Sequence, residues 1–146
     1  MSEAGFILDP RLQADTHPVT SLPLCEVLLM NDARFPWLIL VPRRPGMAEV
    51  TDLAEAEQTR LWQEVNRAAA ALRATMPCDK LNIGALGNIV RQLHVHVVAR
   101  REGDAAWPGP VWGCGHARPY DRDERERLAE RLRASMTASH PAMSGP

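Results

Sequence analysis

Two histidines stand two residues apart in Arg91-Gln92-Leu93-His94-Val95-His96-Val97-Val98-Ala99-Arg100, a run otherwise rich in aliphatic residues. Alternate side chains of a strand face the same way. Leu93, Val95 and Val97 therefore make one apolar stripe, while Gln92, His94 and His96 line the other face, about 6.5–7 Å apart along the strand. An imidazole changes charge at an ordinary pKa of about 6.5 and, when neutral, offers one donor and one acceptor nitrogen. Three readings are open. The first is a half-exposed strand with incidental polar residues. The second is a metal site with two His ligands, for which Cys114 and His116 are the remaining ligand candidates. The third is nucleophilic catalysis, one imidazole attacking while its neighbour binds or polarises the reacting group.

The chain has 146 residues, 45% apolar and 24% charged, with a formal net charge of −1. That is enough for one domain whose core needs no staples, expected over residues 1–146. It provides no global basic field to draw the protein to nucleic acid or an anionic membrane. Cys25, Cys78 and Cys114 are scattered and form no C-x-x-C pair, which argues against a disulfide framework and a cysteine-based zinc site. No basic segment precedes an apolar run near Met1, and the longest apolar stretch, Pro36 to Pro42, is far short of a membrane span. A cytoplasmic protein is expected. No G-x-x-x-x-G-K-[ST] loop appears, and no acidic cluster demands a metal.

The elements that must position the histidines are legible in outline. Residues 6–20 hold a few apolar positions (Phe6, Ile7, Leu8, Leu12), but His17-Pro18 interrupts them and no element is expected there. Cys25 to Met30 and Trp37 to Val41 read as strands joined by the turn Asn31-Asp32-Ala33-Arg34. Thr51 to Met76 reads as a helix started by Asp52 and Glu55, with Leu53, Leu61, Trp62, Val65, Ala69, Leu72 and Met76 on its apolar face, and Pro77 ends it. Lys80 to Ala85 alternates as a strand, and Val90 to Arg100 follows as another. Trp107-Pro108-Gly109-Pro110 forces a loop over 103–119. Asp121 to about Ser135 is a charged helix, followed by a frayed tail over 136–146. One helix between strands does not make a βαβα sheet, so the fold class is α+β with a mainly antiparallel sheet.

Gln92-Leu93-His94-Val95-His96-Val97-Val98 resembles the histidine-triad (HIT) motif, His-φ-His-φ-His-φ-φ with φ apolar, at every position except the first, where this chain has Gln92. The flanks extend the resemblance over about residues 20–112. Leu81-Asn82-Ile83-Gly84 and Gly87-Asn88-Ile89-Val90 look like the strand and glycine-containing loop ahead of the motif. Arg100 to Trp112 is similar to the Trp- and Pro-containing stretch after it in several bacterial members. Leu29-Met30-Asn31 and Leu38 to Pro42 look like the two strands joined by a nucleotide-touching loop. Many members also carry a histidine near the start of the second strand, where this chain has Pro36-Trp37.

The resemblance, which is to the diadenosine polyphosphate hydrolase-like bacterial members, implies a HIT-like fold. That fold has a five-stranded, mainly antiparallel sheet, one long helix across a face and a C-terminal helix, and it pairs as a homodimer. It implies a nucleotide hydrolase or nucleotidyltransferase acting at the α-phosphate of diadenosine tetraphosphate or an adenosine phosphoramidate. His94 would be the nucleophile and His96 a hydrogen-bond donor to phosphate. Gln92 would be a site residue that keeps hydrogen-bonding capacity but cannot titrate. Asn31, together with Asp32, stands where ribose hydroxyls are held; Asn82 and Asn88 stand where amides approach the phosphates. No cofactor is required, with Mg2+ accompanying a polyphosphate substrate. Arg43, Arg44 and Arg91 are further phosphate candidates with a solvated-surface alternative, and Trp107 and Trp112 either stack on a base or partner or pack within their loop. The alternative to an enzyme is a non-catalytic nucleotide-binding module whose triad is incomplete at Gln92.

Overall fold

In the computed structural model, which describes residues 3–138, the apolar runs pair into one five-stranded antiparallel sheet. A short helix α1 (Pro10–Asp15) leads into strands β1 (Thr16–Ser21), β2 (Cys25–Met30) and β3 (Trp37–Pro42). A 3-10 turn (Val50–Asp52) precedes the long helix α2 (Glu55–Thr75); β4 (Lys80–Gly84), β5 (Val95–Arg100) and helix α3 (Arg122–Ala138) follow. The order across the sheet is β1-β2-β3-β5-β4, every neighbouring pair antiparallel. The α+β class and the sheet expected from sequence are what the chain adopts.

β3 and β5 are buried at every position because both faces of the sheet are covered. The two-residue period of a strand sorts their side chains into two clusters. Leu38, Leu40, Val95, Val97 and Ala99 meet Val65 and Leu72 of α2 and Leu132 of α3. Trp37, Ile39, Val41 and Val98 face the other way and meet Leu12, Phe35 and Val111, with Phe6, Leu8 and Trp112 packed at the margin. The second layer is thus made of the N-terminal segment and the loop after β5. His96 lies between Val95 and Val97 in sequence, so it faces this second layer.

Several elements differ from what the sequence pattern leads one to expect. Residues 10–21 form α1 and β1, although Pro18 argues against a strand. β1 is an edge strand whose register shifts between Pro18 and Thr20, and an edge tolerates the missing N–H. The helix expected over 51–76 divides, with extended backbone at Leu53 and Ala54 between the 3-10 turn and α2. Asp52 does not cap α2; its carboxylate accepts from the N–H groups of Ala48 and Glu49. Trp62, expected on the apolar face, is 46% exposed. The helix buries Glu64 as well, whose carboxylate accepts the N–H groups of Leu24 and Cys25 at 2.9 and 2.8 Å and so fixes the start of β2. Burial, reinforced by that carboxylate, pushes the Cys25 thiol up. α3 continues to Ala138 with Met136 fully buried, so residues 136–138 are not frayed; the rest of the expected tail, with His140, lies outside the described residues. Among the described residues no helix is long and apolar enough to cross a membrane.

Candidate active site

The strand expected over 90–100 contracts to β5. β4 ends at Gly84, paired with His96, and Gly87 turns the chain at φ +68°, so residues 85–94 leave the ladder. The Leu93 N–H bonds instead to the carbonyl of Met47. His94 therefore sits just ahead of β5 rather than within it. Even so, the two rings come together, with centroids 4.9 Å apart and planes at 67°, and each residue is 6% exposed.

The hydrogen bonds of the two rings assign their protons. His94 Nδ1 lies 2.7 Å from the backbone oxygen of Gln92. A carbonyl only accepts, so Nδ1 carries a proton, and in the neutral ring the lone pair is then on Nε2. His96 Nδ1 lies 3.0 Å from the indole Nε1 of Trp37. An indole N–H only donates, so here Nδ1 is the acceptor and the proton is on Nε2. Trp37 and Trp112 flank the His96 ring at centroid distances of 5.7 and 5.4 Å. Burial, and next the nearby His94, hold the His96 pKa down to about 4. With His94 neutral, the two adjacent rings present opposite characters, a lone pair on one and an N–H on the other.

This depression has a measurable consequence. Folded His96 binds its proton less readily than unfolded His96, so its contribution to stability is complete above about pH 6.5 and is lost as pH falls towards about 4, on the order of 3 kcal/mol in all. Urea unfolding at pH 7 and pH 4.5 is expected to show the wild type losing several times more stability than a His96→Asn variant. Equal losses in the two proteins would refute it.

Gln92 is placed differently from its expected position beside the histidines. Its Oε1 accepts from the N–H of Asp9 and its Nε2 donates to the carbonyl of Ile7, both at 2.8 Å. The side chain clasps the N-terminal segment, and what residue 92 gives His94 is a backbone carbonyl. The asparagines are spread apart. Asn31 Oδ1 accepts from Tyr120 N–H, and buried Asp32 pairs with Arg34 and accepts from the Arg118 N–H. Asn31 and Trp37 line a cavity of about 430 Å³ together with Asp15, Val111 and Cys114. Asn82 Oδ1 accepts from the buried Arg100, and Asn88 is exposed on the loop after β4. His94 borders a small cavity of about 10 Å³, with Glu49, Leu86 and Gly87 among its walls.

Other candidates fall away from the histidines. Arg43 pairs with Glu3 and Glu26, and Arg44 with Glu57. Trp107 packs beneath Arg100, whereas Trp112 joins the His96 cage. Among the described residues no three His, Cys, Asp or Glu side chains gather where a metal ion would sit. Trp37 is the residue that sequence reasoning missed. It opens a continuous apolar run, where nothing separates a donor from core filler; the one signal was that many HIT members have a histidine near that place.

The HIT domain model matches residues 11–103. A histidine triad protein from Sinorhizobium meliloti is 53% identical, with TM-score 0.87 over 89% of this chain and 96% of its own. A histidine triad protein from Bradyrhizobium japonicum is 49% identical, with TM-score 0.88 over 90% of this chain and 98% of its own. One from Marinobacter aquaeolei is 42% identical, with TM-score 0.88 over 91% and 97%. No curated protein matches the chain. These structural likenesses cover more than the stretch matched by the domain model, so they take in chain outside 11–103. With its sheet, its histidine pair and these relatives, the chain belongs to the HIT domain family.

Proposed function

We propose that the protein is a nucleotide hydrolase or nucleotidyltransferase that works through a covalent nucleotidyl-histidine at His94. The observation that carries this reading is the pair of adjacent rings with opposite Nδ1 bonds, His94 Nδ1 donating to the Gln92 carbonyl and His96 Nδ1 accepting from Trp37. His94 Nε2 attacks the α-phosphorus of a nucleotide conjugate, and the bond from phosphorus to the leaving group breaks. The His96 N–H stabilises the charge that develops on oxygen, and the leaving group departs with its electron pair. Water then attacks the same phosphorus and gives up a proton to the departed leaving group or to solvent, the N–P bond breaks, and the mononucleotide is released as His94 recovers its lone pair. Diadenosine tetraphosphate, with Mg2+ on its phosphates, and an adenosine phosphoramidate are the proposed substrate types. Asn31 and its cavity of about 430 Å³ are the proposed place for the nucleoside. The reading carries with it a cytoplasmic protein that works as a homodimer.

A second reading is favoured by the depth of the histidines. Each is only 6% exposed, and the cavity beside His94 is about 10 Å³, far smaller than a phosphate ester. A nucleotide-binding module without turnover fits that closure. Rapid quench of the protein mixed with either substrate, followed by peptide mass spectrometry, separates the two. The hydrolase is expected to show one mononucleotide adduct on the peptide containing His94. Tight AMP binding with neither adduct nor turnover would leave the binding module standing instead.

A further inference from the structure

We infer that Trp37 is a positioning residue of this site, its indole N–H fixing His96 in the neutral tautomer whose proton is on Nε2. The inference rests on the proposed reaction for its role, and on the structure alone for the tautomer. Trp37 opens β3 opposite Val98, so its side chain falls on the same sheet face as His96, which pairs with Ile39. The indole nitrogen reaches His96 Nδ1 at 3.0 Å in a buried setting. Moving the proton to Nδ1 would set two donors against each other in a buried setting.

The surroundings leave the ring few alternatives. β3 brings Trp37 and Ile39 to it, β4 brings Gly84, and the loop after β5 brings Trp112 edge-on at 5.4 Å. Trp112 is itself backed by Gly84, where an added Cβ would already lie 3.5 Å from the indole. His94 is the titratable group that faces His96, and the other neighbours carry no ionisable side chain. A histidine in place of Trp37 could donate or accept as its own proton moved. An indole can only donate, so this chain commits His96 to donating from Nε2, the nitrogen left for a phosphate oxygen.

The test is long-range 1H–15N correlation of the His96 ring in the full chain, from pH 8 to pH 5, for wild type and Trp37→Phe, with steady-state kinetics on the same samples. Wild type is expected to show one tautomer, unprotonated at Nδ1, across the range. Trp37→Phe keeps an aromatic ring and removes the donor, so mixed tautomers and protonation at higher pH are expected. Its kcat is expected to fall about tenfold or more with KM nearly unchanged. A wild-type spectrum with Nδ1 protonated, or with mixed tautomers, overturns the inference whether or not the variant folds. A Trp37→Phe spectrum identical to wild type overturns it as well. One fixed tautomer in a protein that turns over no nucleotide conjugate supports the Trp37–His96 lock and rejects the hydrolase reading.

Discussion

Replacing His94 with alanine is expected to lower turnover of diadenosine tetraphosphate or an adenosine phosphoramidate at least about ten-thousand-fold while leaving AMP binding within a few-fold. The size follows from the absence of a substitute. His96 has its one lone pair engaged by Trp37 and a proton on its other nitrogen, so it cannot attack. Gln92 has no nucleophilic atom, and its amide is occupied by Ile7 and Asp9. Cys25 lies in the cluster on the opposite face of the sheet with its thiol held protonated. Gln92 bears on His94 in a way that any residue could, because the bond to Nδ1 comes from the backbone. Gln92 thus brings no titratable group, yet its backbone carbonyl still accepts from His94 Nδ1. Side-by-side progress curves and AMP titrations of wild type and His94→Ala check the expectation. Variant turnover within tenfold of wild type would exclude a covalent His94 intermediate.

The sequence reading succeeded where a local pattern and a tertiary demand coincide. β2, β3 and α2 are declared by apolar runs or helical spacing, and burial on both faces of β3 is what a continuous aliphatic run implies. His94 and His96 were legible from their spacing, although one of them proves to lie outside the strand. What escaped depends on contacts distant along the chain. Pro18 argues against a strand only if that strand is central, and nothing local says that β1 is an edge. The start of β5 is set by Gly84 pairing with His96 and by Leu93 bonding to Met47. Asn31 and Asn82 stand where the resemblance expects contacts to ribose and phosphates, yet Tyr120 and Arg100 claim their carbonyl oxygens. Trp37 was invisible for a related reason: an apolar run records how much surface is buried, not which buried atom donates.

Replacing Asp104 with alanine is expected to destabilise the fold by about 3–5 kcal/mol, the cost of stripping a buried cation of its partner. Arg100 is 1% exposed. Its guanidinium donates to both Asp104 oxygens, at 2.7 and 2.9 Å, and to Asn82 Oδ1 at 2.8 Å, with the rings of Phe35 and Trp107 on its faces. Asp104 also accepts the N–H groups of Arg101 and Ala106, which folds the start of the loop onto the end of β5. That loop goes on to Val111 and Trp112, the second wall of the His96 cage, so the variant should also loosen the Trp112 ring. The Arg100 guanidinium holds the Asp104 carboxyl down at about 2. A carboxyl lowered in this way stabilises fully above its ordinary value near 4 and loses that contribution as pH falls towards about 2. Urea unfolding of wild type and Asp104→Ala at pH 7 should show the full difference, and the two should converge between pH 4 and pH 2. A difference at pH 7 below about 1 kcal/mol would mean that the pair is no stronger than an exposed one. The window lies below that of His96, where protonation weakens the fold between about pH 6.5 and 4. Both proteins keep His96, so its acid sensitivity cancels in their difference, and convergence in the lower window reads the ion pair alone.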